Sequence, residues 1–296
     1  MENNTIHNAD CFDLFPEIED ESVDLILTDP PFGTTAADWD TVLPMNDYVF
    51  IEHKNKKKKR LNWQEYMLVS YEKGKSYKEA KEFFDTHKVP GLWTHYNRIV
   101  KPKGAIVIFG SEPFSTQVRA SNPDMYKYDW IWKKSTVDGF FNAKCRPLKT
   151  IENIMVFSKA EARAKGDNMI YYPQGVVEVN KVCKEGRREG DTDGHKYYRG
   201  SLAQKNYTQQ YTNYPTEILL YPRDAPRLHP TQKPVELLQY LIKTYTDDSG
   251  LVLDNCMGSG STIVAAIKTD RRYIGIEKDP KIFRAAEYRI KEALAT

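Results

Sequence analysis

Short apolar runs alternate with helical patterns along this chain of 296 residues. Continuous runs of this kind are typical of strands that are buried on both faces of a parallel sheet. Helical patterns lie between or after the runs. This alternation indicates an open, doubly wound, mostly parallel α/β sheet. The predicted strands are Val23–Thr28, 105–109, 154–157, 251–253 and 273–276, and the predicted helices are 234–246, 261–269 and 280–294.

Two stretches do not follow this alternation. Residues 45–90 are polar and contain the basic run KNKKKKR at residues 54–60, which is followed by several aromatic residues. Residues 160–222 are rich in Lys, Arg, Gly, Asn and Tyr and show little apolar periodicity. Both look like insertions, or like a lobe mounted on the sheet. The predicted division of the chain is therefore 1–44, 45–90, 91–159, 160–222 and 223–296.

Composition excludes several classes of protein. The net charge of +2 does not indicate nucleic acid by itself, so local charge matters more. The four cysteines lie far apart and form no CxxC pair, which predicts neither a disulfide framework nor a metal site. The first residues lack the pattern of a signal peptide, and no apolar run approaches the ~18 residues of a membrane helix. A cytoplasmic protein without a membrane partner is expected.

A glycine-rich turn follows one predicted strand in LVLDNCMGSGST, residues 251–262. Gly258 and Gly260 permit a positive φ and let the backbone approach a ligand beside a helix N-terminus. Glu277 ends the next strand, about 20 residues further on, where an acid can bind the two hydroxyls of a ribose. Each feature alone is compatible with a structural turn or a solvated acid. Together they indicate a nucleoside cofactor.

The sequence of the same turn distinguishes between two classes of nucleoside cofactor. A dinucleotide fingerprint requires a third glycine to cradle the pyrophosphate, but bulky Ile263 stands there. A cofactor without phosphates needs no such cradle, and Asp254 is placed to receive the ammonium group of a methionine moiety. The sequence therefore favours S-adenosylmethionine over NAD.

The run Val23–Thr28 ends in Asp29, Pro30, Pro31 and Phe32, and neither proline can donate a backbone hydrogen bond. A site that needs hydrogen-bond acceptors tolerates the absence of these two backbone N–H donors. The Asp29 carboxylate and the Pro30 carbonyl can grip both hydrogens of one aromatic amino group, and the prolines stiffen the turn. Phe32 offers a face on which a purine can stack. A bare Pro-Pro more often marks a structural turn, but the flanking acid and aromatic favour the catalytic interpretation.

The motif order resembles that of the amino-methylating DNA methyltransferases, in the permuted group called the beta class. TDPPFG comes first, HPTQKP at residues 229–234 comes late, and DNCMGSGST follows it. The resemblance implies a seven-stranded Rossmann-like methyltransferase sheet with an inserted target-recognition region. In that arrangement 1–44 is the catalytic part of the core, 45–90 a basic insertion, 91–159 core, 160–222 the target-recognition region and 223–296 the part that binds S-adenosylmethionine.

The resemblance also implies roles for individual residues. Asp10 and Cys11 should lie near the cofactor adenine, and Glu277 should hold the ribose. Thr231 and Lys233 should approach the methionine carboxylate, although an exposed lysine at a helix start is the alternative for Lys233. The methionine end should be lined by Asp254, Gly258, Gly260 and Ser261.

The catalytic tetrapeptide bears on the target base. An initial Asp resembles the adenine-N6 enzymes, whereas Ser-Pro-Pro is commoner among the cytosine-N4 enzymes, which remain the alternative. A carbon-5 cytosine enzyme is disfavoured because no cysteine here follows a proline. Methylation of RNA or of a glutamine side chain is disfavoured because related sites use Asn-Pro-Pro there. A non-catalytic DNA-binding relative is the alternative from another class.

The expected partner is double-stranded DNA, whose target base must be flipped into the pocket at a cost of about a few kcal/mol. Phosphate contacts must offset that cost. The basic run 54–60 is a candidate for them, with a solvated loop as the alternative. The segments GRREG (186–190) and GHKYYRG (194–200) are candidates for reading base edges, with a linker as the alternative. A homodimer and a cognate restriction endonuclease are possible further partners.

Overall fold

The computed structural model describes residues 1–33, 40–53, 57–184, 206–224 and 232–295. Some of the predictions fall outside these residues: Thr231 and most of HPTQKP, the two basic segments 186–190 and 194–200, and residues 54–56 of the basic run.

Twelve strands and eight α-helices occur among the described residues. The strands are β1 (Thr5–Asn8), β2 (Val23–Thr28), β3 (Tyr48–His53), β4 (Lys57–Asn62), β5 (Val100–Gly110), β6 (Tyr126–Asp138), β7 (Lys149–Phe157), β8 (Val177–Lys184), β9 (Asn206–Thr212), β10 (Ile218–Leu220), β11 (Leu251–Asp254) and β12 (Arg272–Glu277). The helices are α1 (Cys11–Leu14), α2 (Trp63–Glu72), α3 (Tyr77–His87), α4 (Leu92–Ile99), α5 (Phe114–Ser121), α6 (Val235–Tyr245), α7 (Ser261–Ile267) and α8 (Pro280–Leu294).

The main sheet has the strand order β1-β12-β11-β2-β5-β7-β6-β10. Neighbouring strands are parallel except at β7, which runs antiparallel to both β5 and β6. The predicted doubly wound, mostly parallel α/β fold is confirmed. The sheet has eight strands among the described residues, because the three-residue β10 adds to the edge beside β6.

The prediction of a parallel strand at 154–157 was wrong. These residues end β7, and β7 follows β6 after residues 139–148, which contain a single 3-10 turn. A parallel return needs a crossover of a dozen or more residues, usually a helix. The short connection therefore forces β7 to run antiparallel, which its apolar composition alone does not reveal.

The strand β2 lies at the centre of the core, and all six of its residues are buried. Its side chains alternate between the two faces of the sheet. Leu25 and Leu27 pack with residues of α6, α7 and α8, whereas Ile26 packs with residues of α4 and α5. The helices that pack on both faces of the sheet fix the position of β2 and of the residues that follow its carboxyl end.

Residues 45–90 form a folded lobe with a small core of its own. The hairpin of β3 and β4 packs on α2 and α3 through Val49, Leu61, Tyr66, Ala80 and Phe84. Capping boxes start both helices, at Asn62 with Glu65 and at Ser76 with Glu79. The described part of the basic run, from Lys57 to Arg60, lies in β4 and not in a loop.

Residues 173–216 form a separate compact unit, and the rest of the described chain forms the other. In the smaller unit β8 and β9 pair as an antiparallel hairpin, with Val177 opposite Thr212 and Lys184 opposite Asn206. Within the described residues, no helix combines the length and the apolar character needed to cross a membrane.

Candidate active site

A cavity of about 1030 Å³ opens at the carboxyl ends of the central parallel strands. Asp29 follows β2, Asp254 ends β11 and Glu277 ends β12, and all three line this cavity. Because β2, β11 and β12 are neighbours that run in one direction, their carboxyl ends meet at one edge of the sheet. Pro30, Pro31 and Phe32 line the same cavity.

One end of the cavity is built around the glycine turn, and we call it the glycine end, comprising Asp10, Asp254, Gly258 and Glu277. Gly258 has φ +51° and Gly260 has φ +77°, a region that residues with a Cβ rarely adopt. A Cβ at Gly258 would meet no protein atom within 4 Å, and Gly258 lines the cavity. The turn therefore leaves space for a ligand to approach the backbone.

Two carboxylates of the glycine end, Glu277 and Asp254, accept hydrogen bonds from backbone N–H groups. Glu277 accepts hydrogen bonds from Gly258 N at 3.0 Å and from Asp279 N at 2.8 Å. Asp254 accepts one from Cys256 N at 3.1 Å. Burial raises the pKa of Glu277, and it raises the pKa of Asp254 to about 7. An acid that is buried without a counter-cation among the described residues is suited to receive a cationic ligand group.

Asp10 and Cys11 lie beside this turn. Asp10 caps α1 by accepting from Phe12 N at 3.0 Å, and it pairs with Lys278 at 2.8 Å. Burial raises the pKa of Asp10, but these contacts outweigh it and the pKa lies below the usual value. Cys11 is buried, and Asn255 Nδ2 donates to its Sγ at 3.7 Å.

Two further predicted residues lie near the turn. Ser261 begins α7, lines the cavity and accepts a hydrogen bond from Arg289 Nη1 at 2.7 Å. Gly260 faces inward, since a Cβ there would lie 3.1 Å from Ile290 Cδ1 and 3.2 Å from Ala286 Cβ. Gly260 therefore allows α8 to pack against the turn, whereas Gly258 faces the cavity.

The other end of the cavity is a network of charged side chains in which both lysines are buried, and we call it the lysine end. Three carboxylates alternate with three cations, in the order Asp29, Lys233, Glu152, Lys134, Asp138 and Arg223. Lys233 Nζ donates to Asp29 Oδ2 and lies 3.4 Å from Glu152 Oε2. Lys134 contacts Glu152 and lies 2.8 Å from Asp138 Oδ2.

These contacts set the charge states at the lysine end. Burial raises the pKa of Asp29, although the charge of Lys233 opposes this rise. Burial lowers the pKa of Lys233, but Asp29 and Glu152 outweigh it, so the net change is upward. Burial also raises the pKa of Glu152, but Lys233 and Lys134 bring it below the usual value. Lys233 therefore remains a cation.

Asp29 has one oxygen to offer a ligand. Its Oδ2 accepts from Lys233, whereas its Oδ1 is buried and has no hydrogen-bond partner among the described residues. A buried unpaired acceptor costs about 1–3 kcal/mol, so its retention indicates a ligand that donates to it. Phe32 beside it stacks on Phe114, with ring centres 5.0 Å apart.

The structure brings the predicted residues within its described range to the one cavity, except Gly260, which packs behind it. It also adds Lys134, Asp138, Glu152 and Arg223, which the sequence did not single out. One signal was available for Lys134. In β6 the buried positions Trp130, Trp132 and Lys134 alternate, so the lysine occupies a position that faces the interior. No group of His, Cys, Asp and Glu suited to a metal occurs in the part of the chain that the structure describes.

The family model for DNA methylases of the N6/N4 class matches residues 23–288, which include the DPPF motif, the HPTQKP motif and the glycine turn. The chain belongs to this family. The predicted resemblance is confirmed, and this DNA methylase acts on an exocyclic amino group.

Individual relatives match almost the whole DNA methylase chain. It is 24% identical over 303 residues to the Type II methyltransferase M1.MboII of Moraxella bovis, covering 97% of this chain and 96% of that protein. The crystal structure of the M1.HpyAVI–SAM complex has a TM-score of 0.52 and 20% identity, covering 96% of this chain and 98% of that one. The structure of the cytosine-N4-specific PvuII DNA methyltransferase has a TM-score of 0.56 and 16% identity. The match covers 100% of this chain and 92% of that one. These two structures share its fold.

Proposed function

We propose that this DNA methylase transfers a methyl group from S-adenosylmethionine to the N6 amino group of adenine in duplex DNA. The observation that carries the proposal is the Asp29 carboxylate at the end of β2. One of its oxygens pairs with Lys233, and the other is buried without a partner among the described residues. Membership of the N6/N4 family supports an amino group as the ligand that donates to this oxygen.

The residues of the glycine end fit S-adenosylmethionine. Asp254, whose pKa is raised by burial to about 7, would pair with the ammonium group of the methionine moiety. Glu277 would accept the ribose hydroxyls while its own position is fixed by Gly258 N and Asp279 N. Asp10 and Cys11 would border the adenine, and the space beside Gly258 allows close approach to the backbone. Ser261 and, outside the described residues, Thr231 complete the proposed set.

Bound S-adenosylmethionine supplies an electrophilic methyl group, whose bond to sulfur breaks as the new N–C bond forms. The residues of the chain prepare the nucleophile. Asp29 and the Pro30 carbonyl accept the two N–H bonds of the target amine and draw its nitrogen towards tetrahedral geometry. The nitrogen lone pair then leaves the ring conjugation and is available for attack.

The methylated amine must lose a proton, and Asp29 is the base in reach. Its pKa lies above the usual value because of burial, which favours proton uptake relative to an exposed aspartate. Lys233 stabilises the ionised form before reaction and keeps Asp29 in place. In this proposal Lys233 acts on the catalytic carboxylate, beside or instead of the methionine carboxylate that the motif implies.

The first residue of the catalytic tetrapeptide favours adenine over cytosine. Asp29 stands there, as in the adenine-N6 enzymes that the motif resembles, whereas Ser is commoner in the cytosine-N4 enzymes. Cytosine-N4 is the second candidate, since the same acceptor pair suits any aromatic amine and the cytosine-specific PvuII enzyme has this fold. In either case the base must leave the helix to reach Asp29, with Phe32 as its stacking partner. The Type II methyltransferases among the relatives support a cognate restriction endonuclease as a partner, whereas the homodimer stays a prediction.

The test is a transfer assay with labelled S-adenosylmethionine and a duplex that contains all four bases in many contexts. The product is digested to nucleosides and separated by mass. We expect N6-methyladenine with the native chain and, with Asp29→Ala, formation of this product slowed by on the order of 10³-fold. N4-methylcytosine would overturn the base assignment. Cofactor binding without product on any duplex would favour the non-catalytic DNA-binding alternative.

A further inference from the structure

The hairpin of β3 and β4 presents two chemically different faces. Val49, Ile51 and Leu61 point to one side and form the small core of the lobe. Side chains alternate along a strand, and residues directly opposite across an antiparallel pair share a face. Phe50 lies opposite Arg60. The second side therefore carries Tyr48, Phe50, Lys58 and Arg60, and we call it the cavity-side face.

The cavity-side face is continuous with the active site. Tyr48 and Arg60 both line the cavity that contains Asp29 and Phe32. The Arg60 guanidinium lies 5.4 Å from the centre of the Tyr48 ring, and Arg60 Nη2 donates to Val42 O at 3.2 Å. The guanidinium is therefore held at the cavity wall and does not extend freely into solvent.

Beyond the cavity wall the same face is aromatic and basic. Phe50 is 51% exposed and packs edge-on against Tyr48, with ring centres 5.4 Å apart. Lys58 is exposed on the same side. Aromatic rings interleaved with cations are suited to stack on bases or sugars while contacting phosphates. Glu52, opposite Lys58, is the acid on this face.

We propose that the cavity-side face binds the DNA strand that carries the extruded nucleotide. Lys58 and Arg60 contact its phosphates, and Phe50 packs on the sugar or base that extrusion leaves exposed. This inference rests on the proposed function, since it requires a nucleotide to enter the cavity beside Tyr48. It gives residues 45–90 a role in holding the distorted strand.

The chain offers a matched control for the charge. Lys59 lies on the same strand and is exposed, but it points to the opposite side, across from Ile51. Equilibrium binding of a fluorescent duplex is measured for Lys58→Gln and Lys59→Gln over a series of salt concentrations, with a non-reactive cofactor analogue present. Lys58→Gln should weaken binding and reduce the slope of log affinity against log salt by about 1. Lys59→Gln should leave both unchanged, and Glu52→Gln should tighten binding.

The aromatic part of the proposal is tested with Phe50→Ala. On a fully paired duplex the affinity should fall by about tenfold, with the salt slope unchanged. A mismatch opposite the target base lowers the cost of extrusion. Phe50→Ala should therefore recover much of its affinity on the mismatched duplex, whereas Lys58→Gln should not.

Several outcomes would overturn the proposal. Equal losses in Lys58→Gln and Lys59→Gln would show a non-specific charge effect. A change of oligomeric state in Phe50→Ala, with DNA affinity retained, would assign the face to a second copy of the chain. Failure of the native chain to bind any duplex would count against the proposed function itself. Methylation of cytosine would change the assigned target base but would not affect the proposed role of the cavity-side face in binding DNA.

Discussion

The glycine end of the cavity holds two of its three carboxylates by backbone hydrogen bonds, whereas the lysine end balances each carboxylate with a cation. At the glycine end, Glu277 and Asp254 accept hydrogen bonds from backbone N–H groups within about one turn of chain or across one neighbouring strand. At the lysine end, Asp29 is balanced by Lys233, which lies 204 positions away in the sequence. One end is a property of local turns, and the other is a property of the assembled sheet.

This difference matches the work that each end is proposed to do. Backbone donors fix the position of a carboxylate but carry no full charge, so burial keeps the pKa of Asp254 at about 7, and a cationic ligand group would balance its charge. Lysine partners supply full charges, so they oppose the rise that burial causes in the pKa of Asp29 and bring the pKa of Glu152 below its usual value. The glycine end is therefore suited to binding, and the lysine end to controlling a reactive carboxylate.

The largest expected effect separates the two ends directly. Asp29→Ala should lower kcat by on the order of 10³-fold, while cofactor affinity stays within about tenfold, because the carboxylate acts on the amine in the transition state. Single-turnover kinetics and calorimetric titration of the cofactor measure the two quantities. A matching loss of cofactor binding would show that Asp29 supports the glycine end, and the division into two ends would fail.

The difference between local turns and the assembled sheet also explains which features could be predicted from the sequence. The strand β2 and the helix α8 have the predicted boundaries, because continuous apolar runs and a Pro-started helical pattern are local signals. The residues of the glycine end follow their strands directly, so the motifs identified them. The direction of β7 was not predicted, since it depends on the length of a connection rather than on the strand itself.

Of the six residues of the lysine end, the sequence predicted only Asp29 and Lys233. Asp29 and Lys233 belong to motifs, but their contact joins the start of the chain to its last third. Glu152 and Lys134 enter from β7 and β6, and nothing in their neighbours in sequence marks them as partners. Their pairing depends on the register of the antiparallel pair of β6 and β7. The contact between Asp29 and Lys233, which are 204 positions apart, is the part of the site that a single sequence conceals most completely.

The second prediction concerns the glycine end and the pH. Burial raises the pKa of Asp254 to about 7, and a bound ammonium group favours its ionised form. Cofactor affinity should therefore fall as the pH decreases through about 7, by up to about tenfold per unit below it. Calorimetry over this range measures the effect. Asp254→Asn should bind weakly with a flat profile, and a sloped profile in that variant would assign the titration to another group.

The third prediction concerns the lysine end. Asp29 is faced by Lys233, Lys134, Glu152 and Asp254, and Lys233 opposes the rise in its pKa. Lys233→Met removes that cation, so the pKa of Asp29 should rise further and the acid limb of kcat should move to higher pH, by about one unit. Glu152→Gln removes a negative charge and should move the limb to lower pH.

Both shifts are measured from kcat at saturating cofactor and DNA, with thermal unfolding to show that each variant is folded. Opposite shifts would establish that the network acts through Asp29. If Lys233→Met instead raised the KM for the cofactor and left the acid limb in place, Lys233 would belong to the glycine end, as a ligand of the methionine carboxylate.

The last prediction compares the two glycines of the glycine turn. Gly258→Ala and Gly260→Ala both place a side chain at positive φ, which costs about 1–2 kcal/mol of unfolding free energy. Only at Gly260 does the new Cβ also crowd Ile290 and Ala286 of α8, so that variant should lose about 1–3 kcal/mol more. Gly258→Ala should instead weaken cofactor binding, because its Cβ enters the cavity.

Urea unfolding measures the loss of stability in each variant, and cofactor titration measures the loss of affinity. Equal losses of stability with unchanged cofactor affinity would mean that the turn shapes the fold alone.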